Sequence, residues 1–159
     1  MSVLPEVFKE GLGRWATGVT VVTARSGDKV HGMTVSAFNE VSLDPPLVLV
    51  CAECNSHTLP LIREGGAFAV NILSRDQEAL SNRFASKRDE WRRFEGLDWD
   101  TGPTGAPLLR GVVASLDCRL VADPEHGDHA VCIGQVEEIR YSDRAPLLHF
   151  RGRYGSLAE

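Results

Sequence analysis

Two clusters of small polar side chains are the places where this chain could do chemistry. Residues 32–38 read G-M-T-V-S-A-F, and residues 51–58 read C-A-E-C-N-S-H-T. Small residues let a flat ring approach the backbone, and Asn, Ser and Thr near a helix start can bind a phosphate with help from the helix dipole. The same residues also suit a plain helix cap and plain strand positions, and the pattern alone favours that simpler interpretation.

The common nucleotide and hydrolase motifs give no alternative site. Residues 11–16, G-L-G-R-W-A, match G-x-G-x-x-A, but a dinucleotide fingerprint must follow a strand and this segment follows a helix-like one. The sequence contains no G-x-x-x-x-G-K-[ST], no G-x-S-x-G and no H-E-x-x-H. A nucleotide cofactor would therefore have to be held in another way.

The four cysteines allow two interpretations. Cys51 and Cys54 have C-x-x-C spacing, which in a cytosolic protein can indicate redox or zinc chemistry, but Cys118 and Cys132 form no second pair of that kind. Cys51, Cys118 and Cys132 lie within or at the end of apolar, strand-like runs. We therefore favour reduced, buried thiols that act as small hydrophobic residues over a metal or redox site.

Length and charge set the class of protein. The 159 residues predict a single domain over 1–159, and the net charge of −5 argues against a nucleic-acid-binding protein. No apolar stretch approaches the roughly 18 residues of a membrane span. The N-terminus lacks the basic and apolar regions of a signal peptide, so we expect a cytoplasmic protein without a membrane partner.

The elements that would carry the two polar clusters follow from hydrophobic periodicity. Leu4, Phe8, Leu12 and Trp15 predict an N-terminal amphipathic helix. Ser56 is expected to cap a helix through Arg63, and the S-x-x-Q of residues 74–77 to open another. The predicted strands are 18–23, 33–38, 46–52, 67–73, 112–121 and 130–139. The Gly- and Pro-rich residues 96–109 are expected to wrap the surface. With at least six strands and two or three helices, the pattern predicts a mostly β fold, an antiparallel sheet or barrel with peripheral helices.

A series of short segments resembles the flavin reductase-like family, in the right order and over nearly the whole chain. The segments are residues 16–23, 32–38, 42–48, 55–58, 68–73, 83–85, 105–109, 127–129, 133–136 and 146–150. The resemblance implies an FMN-binding split β-barrel, usually a homodimer. It also implies an NAD(P)H:flavin oxidoreductase that reduces non-covalently bound FMN or FAD with NADH or NADPH and supplies reduced flavin to a flavin-dependent monooxygenase.

Site residues follow from the resemblance, position by position. Thr34, Val35, Ser36 and Ala37 would line the flavin ring, with Cys51 and Ala52 beside it. Asn55, Ser56 and Thr58 would hold the ribityl chain and phosphate. Ala85 and either Arg88 or Arg92 would reach the phosphate or the adenylate half of FAD, and His129 would contact the nicotinamide nucleotide. The resemblance implies no metal and no catalytic acid or base, since the cofactors carry the hydride transfer.

Two other functions remain open at this point. Related split barrels bind flavin or haem without turnover, and a flavin-dependent reductase can act on another acceptor, such as a corrinoid or a ferric complex. The residues Gly127-Asp128-His129 favour the flavin reductase, since that histidine is the one expected at the nicotinamide.

Overall fold

The computed structural model describes residues 2–158, so Met1 and Glu159 of the expected 1–159 domain lie outside the described residues. Its three α-helices have eight residues each: α1 Pro5–Leu12, α2 Thr58–Gly65 and α3 Glu78–Ala85. A 3-10 helix covers Glu90–Arg92. The strands described are β1 Thr17–Gly18, β2 Thr20–Ser26, β3 Lys29–Val35, β4 Phe38–Leu43, β5 Pro46–Glu53, β6 Ala67–Ile72, β7 Trp99–Thr101, β8 Pro107–Leu109, β9 Ala114–Ala122, β10 Glu125–His126, β11 His129–Tyr141, β12 Leu148–Phe150 and β13 Arg153–Gly155.

The main sheet has the strand order β3-β2-β6-β9-β11-β5-β4, with β10 added beside β11. Each of its ladders is antiparallel. Short sheets of β1-β12-β13 and β7-β8 pack around it. The expected mostly β class with peripheral helices is confirmed. None of the described helices has the length and apolar character that a membrane crossing requires.

The two edges of the main sheet are consecutive in the chain. β3 and β4 stand at opposite ends of the strand order, yet only Ser36 and Ala37 separate them. The sheet must therefore curl until its edges meet at these two residues, and there the Cys51 amide donates to the Ala37 carbonyl at 3.1 Å. Beyond this point no ladder among residues 2–158 joins β3 to β5, so the curled sheet stays open along that line.

The core fills the inside of the curl. Val22, Val50, Phe68 and Cys118 are fully buried there, with apolar side chains of α2 at one end. The ring of Phe68 lies so close to β11 that a Cβ at Gly134 would sit 2.6 Å from it. A second cluster lies on the other face of β2, which explains why residues 20–24 are buried on both faces. Its members are Val19, Val21, Leu73, Phe84, Leu109 and Leu147.

Most sequence-based elements are confirmed, and two are wrong in detail. The strand predicted over 33–38 breaks at Ser36 and Ala37, because the chain there crosses from one sheet edge to the other. Residues 96–109 are not a surface loop: they contain β7 and β8, and Leu108 and Leu109 are buried. The buried Asn71 amide supports this hairpin by accepting from the Leu109 N–H at 2.8 Å, a long-range contact that the local composition does not indicate.

Helix α1 is amphipathic as predicted, but the rest of residues 2–158 leaves its apolar side more than half exposed. None of its residues is buried. The exposed large side chains include Leu4, Val7, Phe8 and Leu12, followed by Trp15, of which 76% is accessible. Leu43, at the end of β4, is 94% exposed.

Candidate functional site

The opening between β3 and β5 leads into a cavity of about 470 Å³. Three parts of the chain enclose it: β3 with the crossover to β4, the end of β5 with the start of α2, and the end of α3 with the residues that follow it. Its lining is His31, Met33, Thr34, Val35, Ser36, Ala37, Cys51, Glu53, Asn55, Ser56, His57, Thr58, Phe84, Ala85, Lys87, Glu90, Arg93 and His129.

The β3 wall is fixed from behind by α3. The Thr34 hydroxyl donates to the Ser81 carbonyl at 2.6 Å, which ties the strand to the helix. Gly32 allows the helix to come this close, because a Cβ there would lie 2.9 Å from the Phe84 ring. Ser36 and Ala37 follow as small, exposed residues at the crossover. Since β3 is an edge strand, its outer N–H and C=O groups have no partner strand, and apart from the Gly32 carbonyl, which accepts from Arg93, they are available to a ligand.

The second wall carries the second polar cluster. Cys51 is half-buried on the cavity side of β5, and burial raises the pKa of its thiol. Ser56 accepts from the Leu59 N–H at 3.2 Å, but the N-cap of α2 is His57, so the predicted cap lies one residue before the N-cap position. Asn55 is exposed beside it. Polar groups and the free N–H groups of a helix start together make this wall suited to an anion.

The third wall supplies a buried cation. Arg93 is 4% exposed, and its guanidinium donates to the Gly32 carbonyl at 2.7 Å and to the Ser86 carbonyl at 2.5 Å. Burial lowers the pKa of Arg93, but the guanidinium stays charged at neutral pH. Glu90 lies 3.5 Å from it and offsets part of the charge. The Nε of Arg93 is buried and has no hydrogen-bond partner among the described residues.

The floor of the cavity holds a buried histidine. His31 is 1% exposed, and its Nδ1 lies 2.8 Å from the Thr58 hydroxyl. Burial, with the nearby Arg93 charge second, lowers the pKa of His31 to about 4, so the ring is neutral at physiological pH. Thr58 is itself fully buried, which leaves its hydroxyl to His31 and little of it open to a ligand.

His129 stands on the rim, at the first position of β11 and opposite Glu53 of β5. Its Nδ1 lies 2.6 Å from the Asp128 carboxylate, and this hydrogen bond lowers the pKa of Asp128. A neutral imidazole that donates from Nδ1 presents the lone pair of Nε2 as an acceptor. The ring is 40% exposed and can therefore reach a molecule that enters the opening.

The structure brings ten of the thirteen predicted site residues to this cavity. They are Thr34, Val35, Ser36, Ala37, Cys51, Asn55, Ser56, Thr58, Ala85 and His129. Ala52 is not among the lining residues, because alternate side chains of β5 point to opposite faces and Ala52 faces the core. Arg88 and Arg92 do not line it either, and Arg92 instead pairs with Glu95 at 2.9 Å.

Several lining residues were missed by the sequence analysis. His31 and His57 adjoin the two predicted clusters, while Lys87, Glu90 and Arg93 come from the segment after α3. The family resemblance implied a basic side chain in this segment, but it pointed to Arg88 or Arg92. Arg93 is instead the residue that turns inward, since the irregular segment ends in a single 3-10 turn whose facing cannot be derived from periodicity.

The thiols form neither a disulfide nor a metal site. All four cysteines are free; Cys118 and Cys132 are buried, as expected, whereas Cys54 is exposed. Within residues 2–158 no group of three or more His, Cys, Asp and Glu side chains is arranged to hold a metal ion.

Comparisons with known proteins agree on one family. The model of the flavin reductase like domain matches residues 12–158. An NADH-dependent flavin reductase of a Rhodococcus species is 41% identical, over 98% of this chain and 88% of its own. The reductase component of 4-hydroxyphenylacetate 3-monooxygenase of Thermus thermophilus is 40% identical, over 97% of each chain. The NADH:FAD oxidoreductase of Streptomyces globisporus, solved in complex with NAD and FAD fragments, superimposes with a TM-score of 0.90 at 34% identity, over 99% of this chain and 97% of its own.

Proposed function

This chain belongs to the flavin reductase-like family, and on that premise we propose that its cavity is the site where NADH reduces FMN or FAD. The observation that best supports this site is the opening between β3 and β5, which has small neutral residues, a free strand edge and His129 at its rim. The chain is an NADH-dependent flavin oxidoreductase, in agreement with the activities named for its relatives.

The residues present fit a flavin. Ser36, Ala37 and Ala85 are small enough to let a three-ring system lie against the backbone, and the free edge of β3 offers N–H and C=O groups to its polar rim. Asn55 and Ser56 would hold the ribityl chain and phosphate at the start of α2. The Arg93 guanidinium, buried in the wall of the same cavity, would place a positive charge near this end.

The reaction requires the protein to position the flavin and nicotinamide rings rather than to transfer a proton. Bound flavin supplies the acceptor for a hydride from the nicotinamide. The chain holds the two rings in contact, which is an orientation effect of the kind that can lower a barrier by several kcal/mol. His129, fixed by Asp128, would accept a hydrogen bond from the nicotinamide carboxamide and so orient that ring over the flavin.

We propose weak, reversible flavin binding, with the flavin as a co-substrate. The cavity is open to solvent along the β3–β5 line, and its two cations, Lys87 and Arg93, are each paired with a carboxylate, which offsets part of their attraction for a phosphate. A flavin that leaves after reduction can serve a separate monooxygenase, and the Thermus relative is named as the reductase component of such a system. The four free thiols suit the reducing cytoplasm, where we place the protein.

We also propose a homodimer, supported by the exposed face of α1. An eight-residue helix with no buried side chain is marginal in water, and it needs a partner surface to be stable. A second copy of this chain would cover the apolar residues of α1 together with Trp15 and Leu43. Phe8→Glu or Trp15→Glu should shift sedimentation toward the monomer, while the substitution Val121→Glu, on an exposed strand face, should not.

Steady-state NADH oxidation tests the activity directly. The protein is compared with FMN, FAD and riboflavin as acceptors, and stopped-flow bleaching of added flavin follows the hydride step. Turnover with a free flavin supports the proposal; flavin binding without NADH-dependent bleaching overturns it and favours a binding module. Acid precipitation must release all the flavin, since colour that stays on the protein contradicts non-covalent binding.

A further inference from the structure

The chain reaches His129 through a hairpin whose outer arm has little support. This arm, residues 123–126, contains β10, and among residues 2–158 the only strand that pairs with β10 is β11. The base of the hairpin is closed by the Val131 N–H, which donates to the Pro124 carbonyl at 2.8 Å. Residues 124–128 are exposed, so apolar burial contributes little to the direction of the arm.

The direction of this arm matters because the turn that follows it carries Asp128. The ladder with β5 fixes the backbone of His129, which lies opposite Glu53. The imidazole is oriented by the Asp128 carboxylate, which lies 2.6 Å from its Nδ1 and is 96% exposed. On the side of β5, the Cys54 N–H donates to the Asp128 carbonyl at 2.9 Å, and the other side of the turn depends on the arm. A shift of the arm would therefore move the carboxylate relative to the ring.

Arg63 is the side chain that fixes this arm to the rest of the protein. Its Nε donates to Asp123 at 2.6 Å and its Nη2 donates to Glu125 at 2.8 Å, so one guanidinium holds the arm at two points. The planar fork of donors makes this double contact possible, and a lysine ammonium does not offer the same geometry. The three side chains are between 31% and 55% exposed, so salt should screen both contacts.

The support behind Arg63 is rigid. Arg63 lies in the last turn of α2, and Leu59 and Ile62 of the same helix are almost fully buried. The end of α2 lies so close to β2 that a Cβ at Gly65 would sit 2.1 Å from the Arg25 carbonyl oxygen. One helix therefore contributes to the second wall of the cavity at its start and holds the hairpin at its end.

We propose that Arg63 is a positioning residue for hydride transfer. It anchors the outer arm to α2, so that the turn keeps Asp128 against His129 and the imidazole stays directed at the nicotinamide. This inference rests on the proposed function, because the role of His129 is assigned there. Arg63 is not among the residues that line the cavity, so its effect passes through the hairpin. The anchor should therefore support the use of NADH and leave the binding of flavin unaffected.

Steady-state kinetics of Arg63→Met are the first test. The substitution should lower kcat/KM for NADH by about threefold to tenfold, the scale of two exposed ion pairs, and should leave the Kd of oxidised flavin unchanged. The decrease should be smaller than that of His129→Ala, since the imidazole is still present, and Arg63→Lys should restore part of it. Arg119→Met is the matched control, because it removes the exposed Arg119–Glu137 pair, 3.1 Å apart, from the same strands β9 and β11. Kinetics of Arg63→Met equal to those of the parent overturn the inference.

A double-mutant cycle shows whether the effect passes through His129. In the His129→Ala background, Arg63→Met should cause no further decrease in kcat/KM for NADH, because the ring that it positions is absent. Additive losses overturn the inference. The double substitution Asp123→Asn, Glu125→Gln should lower kcat/KM as Arg63→Met does. If Arg63 acted only as a distant positive charge on the anionic NADH, loss of the two carboxylates would raise kcat/KM, and that result also overturns the inference.

Amide hydrogen exchange tests the anchor without NADH. Exchange of the Val131 amide, which closes the base of the hairpin, should be faster in Arg63→Met than in the parent or in Arg119→Met. In the parent it should become faster as the salt concentration rises, and in Arg63→Met this salt dependence should be lost. Unchanged exchange at Val131 in Arg63→Met overturns the inference. Absence of NADH oxidation in the parent would instead refute the proposed function, while faster exchange in Arg63→Met would still establish the anchor.

Discussion

Removal of the His129 imidazole should impair the use of NADH and spare the binding of flavin. The ring stands on the rim of the cavity with Nδ1 2.6 Å from Asp128, and Nε2 is the atom that would meet the nicotinamide. His129→Ala removes one hydrogen bond and leaves no buried group unpaired, because the ring is 40% exposed and water can replace it. A loss of about 1–2 kcal/mol is expected, which lowers kcat/KM for NADH by roughly 5–30-fold.

The assay separates the two substrates. NADH is varied at saturating flavin, and the flavin Kd is measured independently by titration with the oxidised form. His129→Gln retains a hydrogen-bonding side chain and should recover part of the lost kcat/KM. Asp128→Asn keeps an acceptor for Nδ1, and a decrease smaller than that of His129→Ala is expected. Normal NADH kinetics in His129→Ala would remove this residue from the site, and an equal loss of flavin affinity would assign it to the flavin instead.

Three further changes test the cavity and its support. Replacing both Cys51 and Cys54 by Ser should leave NADH oxidation within several-fold of the parent; a loss of several orders of magnitude in a folded variant would favour thiol chemistry. Gly134→Ala places a Cβ 2.6 Å from the Phe68 ring and should lower the free energy of unfolding by about 1–3 kcal/mol, measured by chemical denaturation. An unchanged midpoint would mean that the Phe68 ring and β11 move apart without loss of stability. Because the pKa of His31 is lowered to about 4 in the folded chain, the unfolded state binds the extra proton between pH 6.5 and 4, so stability should fall as the pH falls through that window. His31→Gln should flatten this part of the stability profile, and an unaltered profile would assign the effect to other groups.

The sequence alone determined the class of fold and the family. Alternating apolar runs with turn residues between them predicted most of the strands, since strand periodicity is a local property of the chain. The small polar residues 32–38 and 51–58 identified two of the three walls of the cavity, because each wall is a continuous segment. The resemblance of ordered segments to the flavin reductase-like family then implied the roles of individual site residues, which composition and spacing did not indicate.

The tertiary structure decided which side chains of those segments face the cavity and which other residues complete it. Whether Ala52 faces the cavity or the core depends on the register of β5 with β11, in which Ala52 is opposite the buried Ala130. The third wall comes from the irregular residues after α3, where no periodicity sets the direction of Arg92 and Arg93. The cavity itself exists because the sheet curls until β3 and β4 meet at Ser36 and Ala37, and curling is a property of the whole set of paired strands. Local pattern therefore identified the segments of two walls, and the long-range pairing decided which of their residues face the cavity and which further residues join them.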